Sequence, residues 1–366
     1  MIKSMLSKNN AYQIYIGLNS LKILPKKLKK ICPKAKKLAF IVDKKVPKII
    51  VKKIISKFNN YETICIYFLA SEKNKSVRTA ISITDKLLKK RFNRSDVLLG
   101  IGGGITGDTS SFAASIIKRG INFINIPTTF LSQVDASIGG KTGVNSIYGK
   151  NLIGSFYQPK LVLIDTLFLR SLKRRDMICG FAEILKHSII KDRKFFNWLE
   201  KNAKSIIDDR TDKKITESIF KSCKIKLDII KNDLNERNER MKLNFGHTFA
   251  HAIEAKNKFS KKINHGEAVL IGMLLATKLS VQKKICSKEN LKKIERVYKD
   301  LKIDYLLKKT INKRDLIKLI YYMKSDKKNF SDKINLILLK KIGKVTTPGN
   351  FQISSQNLHS NLMKII

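Results

Sequence analysis

The sequence predicts an α/β N-terminal domain, Rossmann-like with a mostly parallel sheet, followed by an all-α C-terminal domain. Three observations carry that expectation. Up to about residue 176, short apolar β-rich runs alternate with helical ones; a glycine triplet sits between one such run and a helix; and beyond 176 the apolar residues recur at three and four. At 366 residues the chain can bury two cores. The expected domains are 1–176 and 177–366, with the hinge near LRSLKRRDM (169–177).

The elements follow in order. LAFIVDKK (38–45) and YETICIYFLA (61–70) read as buried strands, β-branched and closed by polar residues. SVRTAISITDKLLKKRF (76–92) reads as a helix that Ser76 can cap. DVLLGIGGG (96–104) is a strand running into glycines, and DTSSFAASIIKRG (108–120) a helix ended by Gly120. INFINIPTT (121–129) is a further strand. Such alternation implies helices on both faces of the sheet. FAEILKHSIIKDRKFFNWLEKNAKSII and SIFKSCKIKLDIIKNDL then carry helical spacing, without repeats or low-complexity tails.

Composition narrows the class. The net charge is +46, but the lysines are spread over every segment and few aromatics lie among them. That pattern fits compositional drift toward Lys, Ile and Asn better than a dedicated nucleic-acid surface, with weak nonspecific binding at low salt either way. No apolar run is long enough for a bilayer, and the start lacks an evident secretory signal. Five scattered cysteines (Cys32, Cys65, Cys179, Cys223, Cys286) form no CxxC pair, so free thiols in a reducing cytoplasm are expected.

Gly102, Gly104 and Gly107 match G-x-G-x-x-G between strand and helix, where backbone N–H groups and a helix N-terminus favour a pyrophosphate. The strand that follows ends in Pro127-Thr128-Thr129, without the acidic residue an ordinary dinucleotide unit carries there. SIGGKTGVN (137–145) is not a P-loop, because Asp135 stands where the first glycine is required. Lys141 nonetheless sits on a glycine-rich turn in company with Asp135, Thr142, Asn145, Lys150 and Asn151, a set suited to phosphate or carboxylate groups.

Three of five histidines fall in NFGHTFAHAIEAKNKFSKKINHGEAV. His247 and His251 lie one helical turn apart, a chelating spacing, and His265 opens another helical run. Catalytic zinc takes three protein ligands, often two histidines and a carboxylate. Glu183, Glu254 and Glu267 are candidates, and spacing leaves the choice open. His187 and His359 look isolated and are given no role.

Taken in order, GGGITGD (102–108), IPTTFLSQVDASIGGKTGVN (126–145), GKNLIGSFYQP (149–159), GFAEILKH (180–187), NFGHTFAHAIE (244–254) and HGEAV (265–269) resemble the 3-dehydroquinate synthases of the shikimate pathway. The resemblance runs from Asp43 to the DKK at 326–328. It implies a dehydroquinate synthase-like fold and a homodimer. The implied activity is a carbon-oxygen lyase reaction that takes 3-deoxy-D-arabino-heptulosonate 7-phosphate to 3-dehydroquinate and phosphate. Transient oxidation by NAD, phosphate elimination, re-reduction, ring opening and an intramolecular aldol make up the reaction. The alternative is another sugar-phosphate cyclase or a metal-dependent polyol dehydrogenase of the same fold.

The resemblance also implies roles. Zinc or cobalt would be held by Glu183, His247 and His265, leaving His251 to the substrate pocket. NAD would lie along Asp43; Ser71, Glu72, Lys73, Asn74 and Lys75; Gly104, Ile105, Thr106, Gly107 and Asp108; Thr128 and Thr129; and Phe168, Leu169, Arg170 and Ser171, with Lys141 and Lys150 alongside. Substrate contacts would be Asp135, Lys141, Lys150, Asn151, Lys186, Lys226, Arg240, Asn244, His251 and Lys327, with Arg119 reaching into a partner subunit. Two departures stand out: Ser71 replaces the family's usual glycine, and His187 a common tyrosine.

Overall fold

The computed structural model describes residues 3–6, 12–231, 233, 238–260, 262–324 and 333–366. By contacts the chain divides into two compact units, Met1–Asp176 with Ile215–Cys223, and Met177–Lys214 with Lys224–Ile366.

The first unit is built on β1 (Lys3–Leu6), β2 (Gln13–Gly17), β3 (Lys37–Asp43), β4 (Glu62–Phe68), β5 (Val97–Gly102), β6 (Asn122–Pro127) and β9 (Leu161–Asp165). A separate pair, β7 (Val144–Ser146) and β8 (Gly149–Ile153), forms an antiparallel hairpin. The sheet order is β1-β2-β9-β6-β5-β3-β4, and every pairing except β1 with β2 is parallel. Alternation along β3 shows why these strands read as unbroken apolar runs. Leu38, Phe40 and Val42 enter one core with Leu28 of α1 (Leu24–Ile31) and Val51 and Ile54 of α2 (Lys48–Ile55). Ala39 and Ile41 enter the other with Ile83 and Leu87 of α3 (Val77–Lys89) and Phe112 of α4 (Gly104–Ile116). Each large apolar side chain buried this way contributes about 1.5–3 kcal/mol.

Two expectations need correction. β4 was expected to be buried, yet Glu62, Thr63 and Tyr67 are exposed, because it is an edge strand paired only with β3. The helix expected over 108–120 starts four residues earlier, at Gly104, and gives way after Ile116 to a 3₁₀ turn, Ile117–Arg119, before Gly120 at φ +124°. The glycine triplet is therefore mostly the first turn of α4 rather than a loop ahead of it.

The second unit is helical, as expected. Its helices are α5 (Arg174–Lys191, from Met177 on), α6 (Arg193–Ile207), the ends of α7 (Asp212–Ile230), α8 (His247–Lys256), α9 (His265–Gln282), α10 (Lys288–Asp300), α11 (Leu306–Thr310), α12 (Leu316–Lys324) and α13 (Ser355–Ile365). Two short antiparallel pairs accompany them, β10 (Lys333–Asn335) with β13 (Gln352–Ser354) and β11 (Leu339–Lys341) with β12 (Lys344–Val345). Strands of two or three residues are too short to show a periodicity in sequence. α9 is buried almost all round. Where it crosses the start of α8, a Cβ on Gly272 would lie 2.1 Å from the Gly246 carbonyl oxygen, so the two helices meet backbone to backbone. Among the described residues no helix is long and apolar enough to cross a membrane.

Candidate active site

The carboxyl edge of the parallel sheet gathers the residues expected to hold a dinucleotide. The chain passes from β3 outward to β4, then returns to β5 on the other side of β3, so the topological switch lies between β3 and β5. Gly103 caps α4 there, and the N–H groups of Gly104, Ile105 and Thr106 precede the first intrahelical bond, from Gly107 N–H to the Gly103 carbonyl (3.0 Å). Gly102 is required by packing: a Cβ would meet the buried Thr106 side chain at 2.4 Å. Asp43 ends the neighbouring strand, level with Gly102 because Val42 pairs with Ile101. Its Oδ1 accepts the N–H groups of Lys45 (3.1 Å) and Ala70 (3.4 Å). A carboxylate therefore does stand at this edge, at the end of β3 rather than after β6. Spacing around the glycines could not point to it, since Asp43 precedes them by about 60 residues; it was named only through the resemblance.

Thr128 donates its N–H to the Gly102 carbonyl (2.9 Å), and the Thr129 hydroxyl bonds Ser132 (2.9 Å). Phe168, Leu169, Arg170 and Ser171 lie on the 3₁₀ turn after β9, the first two buried. Ser71 caps the Glu72–Asn74 turn, its hydroxyl accepting the Asn74 N–H (3.3 Å) at φ −147°. Any residue adopts that conformation, so the turn does not depend on glycine.

The β7–β8 hairpin is latched to this region by polar contacts. Buried Lys75 pairs with Asp108 of α4 (2.5 Å) and bonds Asn151, while Lys150 pairs with Glu72 (3.1 Å). Asn145 donates to the Glu72 carboxylate (2.9 Å) and its N–H to the Lys75 carbonyl (2.8 Å). Glu72, Lys75 and Asp108, assigned to the cofactor, and Lys150 and Asn151, assigned to the substrate, therefore share one network. Of the same turn, Lys73 is exposed and Asn74 bonds the Leu69 carbonyl (2.8 Å). Asp135 lies on a π turn, Ser132–Ala136, and exposed Lys141 bridges to Phe156. Arg119 lies on the 3₁₀ turn Ile117–Arg119 that follows α4, at the opposite end of that helix from Gly104.

The second unit brings together a different set. Donor atoms of Glu183 on α5, His247 at the start of α8 and His265 at the start of α9 all lie within 4.8 Å of one another. The Nε2 atoms of His247 and His265 stand 3.6 and 3.7 Å from the same Glu183 oxygen, Oε1. Those separations exceed a hydrogen bond, but they suit ligands on one tetrahedral ion, whose donors at 2.0–2.1 Å lie about 3.4 Å apart. Glu183 is fully buried, and Lys186, 2% exposed, pairs with its other oxygen. Burial raises the Glu183 pKa, but the charges of Lys186, His265 and His187 outweigh it and hold the carboxyl well below the usual range. Burial lowers the His265 pKa, yet the Glu183 and Glu254 carboxylates drive it up to about 10. A buried carboxylate oxygen facing two imidazole nitrogens at this spacing fits a small divalent cation.

The His251 ring packs edge-on to His247, 5.6 Å between centroids, and is not among the three clustered donors. Lys226 and Arg240 are buried, and Asn244 closes the 3₁₀ turn Glu239–Asn244 ahead of α8. Lys327 lies outside the described residues.

A profile of 3-dehydroquinate synthase N-terminal domains matches residues 65–179, and one of the C-terminal domains matches 180–329. A 3-dehydroquinate synthase from Pelagibacter ubique (strain HTCC1062) is 47% identical over 359 residues, covering 98% of this chain and 97% of that protein. The chain belongs to the 3-dehydroquinate synthase family. The 3-dehydroquinate synthase of Dictyoglomus turgidum is 41% identical over 92% of the chain and 91% of its own length. Among solved structures, 2-deoxy-scyllo-inosose synthase complexed with carbaglucose-6-phosphate, NAD+ and Co2+ superposes with a TM-score of 0.88 at 23% identity, covering all of both chains. The 2-epi-5-epi-valiolone synthase of Streptomyces hygroscopicus subsp. jinggangensis 5008, with NAD+ and Zn2+ bound, gives 0.85 at 23% identity over 99% of each. The chain is accordingly an enzyme, a lyase that forms 3-dehydroquinate on the shikimate route to aromatic amino acids.

Within the site, geometry separates the three carboxylates that spacing left equivalent. Glu183 faces both histidines, Glu254 lies 3.4 Å from His265 Nδ1, and Glu267 caps its own helix through a reciprocal box with Asn264. The Asn264-to-Glu267 spacing is a capping signature visible in sequence. His187, given no role from sequence, is completely buried one turn beyond Glu183 on α5; their separation of four was the available signal.

Proposed function

We propose that the chain converts 3-deoxy-D-arabino-heptulosonate 7-phosphate to 3-dehydroquinate and phosphate, using NAD and one zinc or cobalt ion held by Glu183, His247 and His265. The single observation that carries the metal assignment is the shared approach of both imidazole Nε2 atoms to Glu183 Oε1. A bound ion would polarise the substrate hydroxyl that NAD oxidises. The cofactor ions named for the two solved cyclases support the choice of metal.

We assign NAD binding to residues 1–176, along Asp43, the Ser71–Lys75 turn, the first turn of α4, Thr128-Thr129 and the Phe168–Ser171 turn. Metal and substrate binding falls mainly to 177–366. Lys186 keeps Glu183 ionised beside it. Lysine and arginine recognise carboxylate and phosphate groups, and Lys186, Lys226 and Arg240, all buried, are assigned to those ends of the substrate, joined by Lys141, Lys150 and Asn151. Asp135, Asn244 and Lys327 are assigned to the same substrate, and His251 to proton relay.

Arg119 is assigned to the site of a second subunit in a homodimer. Lys118 and Arg119 both take positive φ, +47° and +60°, a conformation that costs a non-glycine residue about 1 kcal/mol or more. All five cysteines are free thiols, which suits a cytoplasmic enzyme.

The test is phosphate release from the heptulosonate phosphate with NAD and zinc. Release without accumulation of NADH, abolished by a chelator, is expected; steady NADH build-up would point to a polyol dehydrogenase instead.

A further inference from the structure

Glu254 was offered by the sequence as a metal ligand, and no step proposed above uses it. It sits two turns along α8 from His247, its carboxylate 3.4 Å from Nδ1 of His265, with 14% of its side chain exposed. The two histidines are arranged alike. Each directs Nε2 at Glu183 Oε1, and each sets Nδ1 against an acceptor: the Phe245 carbonyl for His247 (3.4 Å) and the Glu254 carboxylate for His265. An imidazole binds a metal through the nitrogen that carries no proton, so an acceptor at Nδ1 fixes the proton there and frees Nε2.

The partners differ in origin. Phe245 lies two residues before His247, so that acceptor comes with the local turn. His265 begins α9 at its first residue, after a lysine-rich connection, and keeps 31% of its side chain exposed. Its Nδ1 acceptor is a carboxylate that reaches it from α8, eleven residues earlier.

We infer that Glu254 is a positioning residue for the metal site: it holds His265 in the Nδ1–H tautomer with Nε2 turned to the ion and makes it a stronger ligand. This rests on the assignment of the metal to Glu183, His247 and His265. A carboxylate is a better acceptor for an N–H than an amide, and alanine offers none. Metal affinity should therefore fall in the order Glu, Gln, Ala at position 254. A residue that merely packs would leave Glu254→Gln, of equal size, indistinguishable from the parent.

The experiment is zinc affinity by competition with a chromophoric chelator, together with the rate at which excess chelator strips zinc from the loaded protein. Parent, E254Q, E254A, E183Q and H265A proteins are compared, with circular dichroism of each. A loss of about tenfold for E254Q and toward a hundredfold for E254A is expected, with faster zinc release and an unchanged fold. If E183Q and H265A lose zinc while E254Q binds it like the parent, the role of Glu254 is overturned and the metal site stands. If E183Q and H265A retain parental affinity, the metal assignment itself fails. If E254A fails to fold, E254Q alone decides, since it preserves size and removes only charge.

Discussion

His247 and His251 form the eye-catching pair in sequence, one turn apart on one helix, yet the donors converging on Glu183 come from His247 and His265. The prediction at this scale is an exchange of effects. His265→Ala should lose bound zinc by elemental analysis, whereas His251→Ala should keep a full equivalent and lose phosphate release. Glu183→Gln should lose both, with activity down by roughly three orders of magnitude, as removal of several kcal/mol of Lewis-acid stabilisation requires. Histidine spacing alone could not make this distinction, because a separation of four on a helix guarantees proximity and says nothing of direction. Convergence of residues 183, 247 and 265 depends on three helices, which no local pattern encodes; it was legible only through resemblance.

Gly246 and Gly272 set how closely α8 and α9 cross, and at φ +78° Gly246 also needs a conformation that suits glycine. Gly272→Ala would push a methyl against the Gly246 carbonyl, and a loss of about 3 kcal/mol in urea unfolding is expected, accompanied by weaker zinc binding. A second contact ties α8 to the turn before α12: Lys256 pairs with Asp315 at 2.7 Å. Burial raises the Asp315 pKa, but the Lys256 hydrogen bond, the Asn312 N–H and the charges of Lys256 and Lys318 outweigh it and leave the pKa lowered. A depressed carboxyl stabilises the fold above its unfolded pKa, near 4, and that contribution fades as pH falls through the lower folded value. Asp315→Asn should therefore lower stability at neutral pH and flatten its decline below about pH 4, measured by urea midpoints across pH. Element types were mostly readable: Ser76 does cap α3, and the apolar runs do form the parallel strands. What sequence misjudged was context. Nothing in YETICIYFLA marks β4 as an edge, and nothing in GGGITGD shows that α4 begins within the glycines.

For the whole molecule, the assignment of Arg119 to a partner's site predicts complementation. Arg119→Ala and Glu183→Gln proteins, each inactive alone, should recover activity when denatured and refolded together. Random pairing gives half mixed dimers with one intact site each, hence about a quarter of parental phosphate release. No recovery, with dimers present by sedimentation, would place Arg119 in its own subunit's site or outside catalysis. The +46 charge reported nothing about this chemistry, since the site's own polarity resides in a few buried groups. The backbone-to-backbone contact of Gly246 with Gly272 has a mechanical consequence. With no side chains between them to act as a cushion, the opening turn of α8 and the middle of α9 must loosen together or not at all. Amide hydrogens over 247–253 and 266–279 should then exchange with deuterium in one cooperative step, and zinc should leave in that same opening rather than before it.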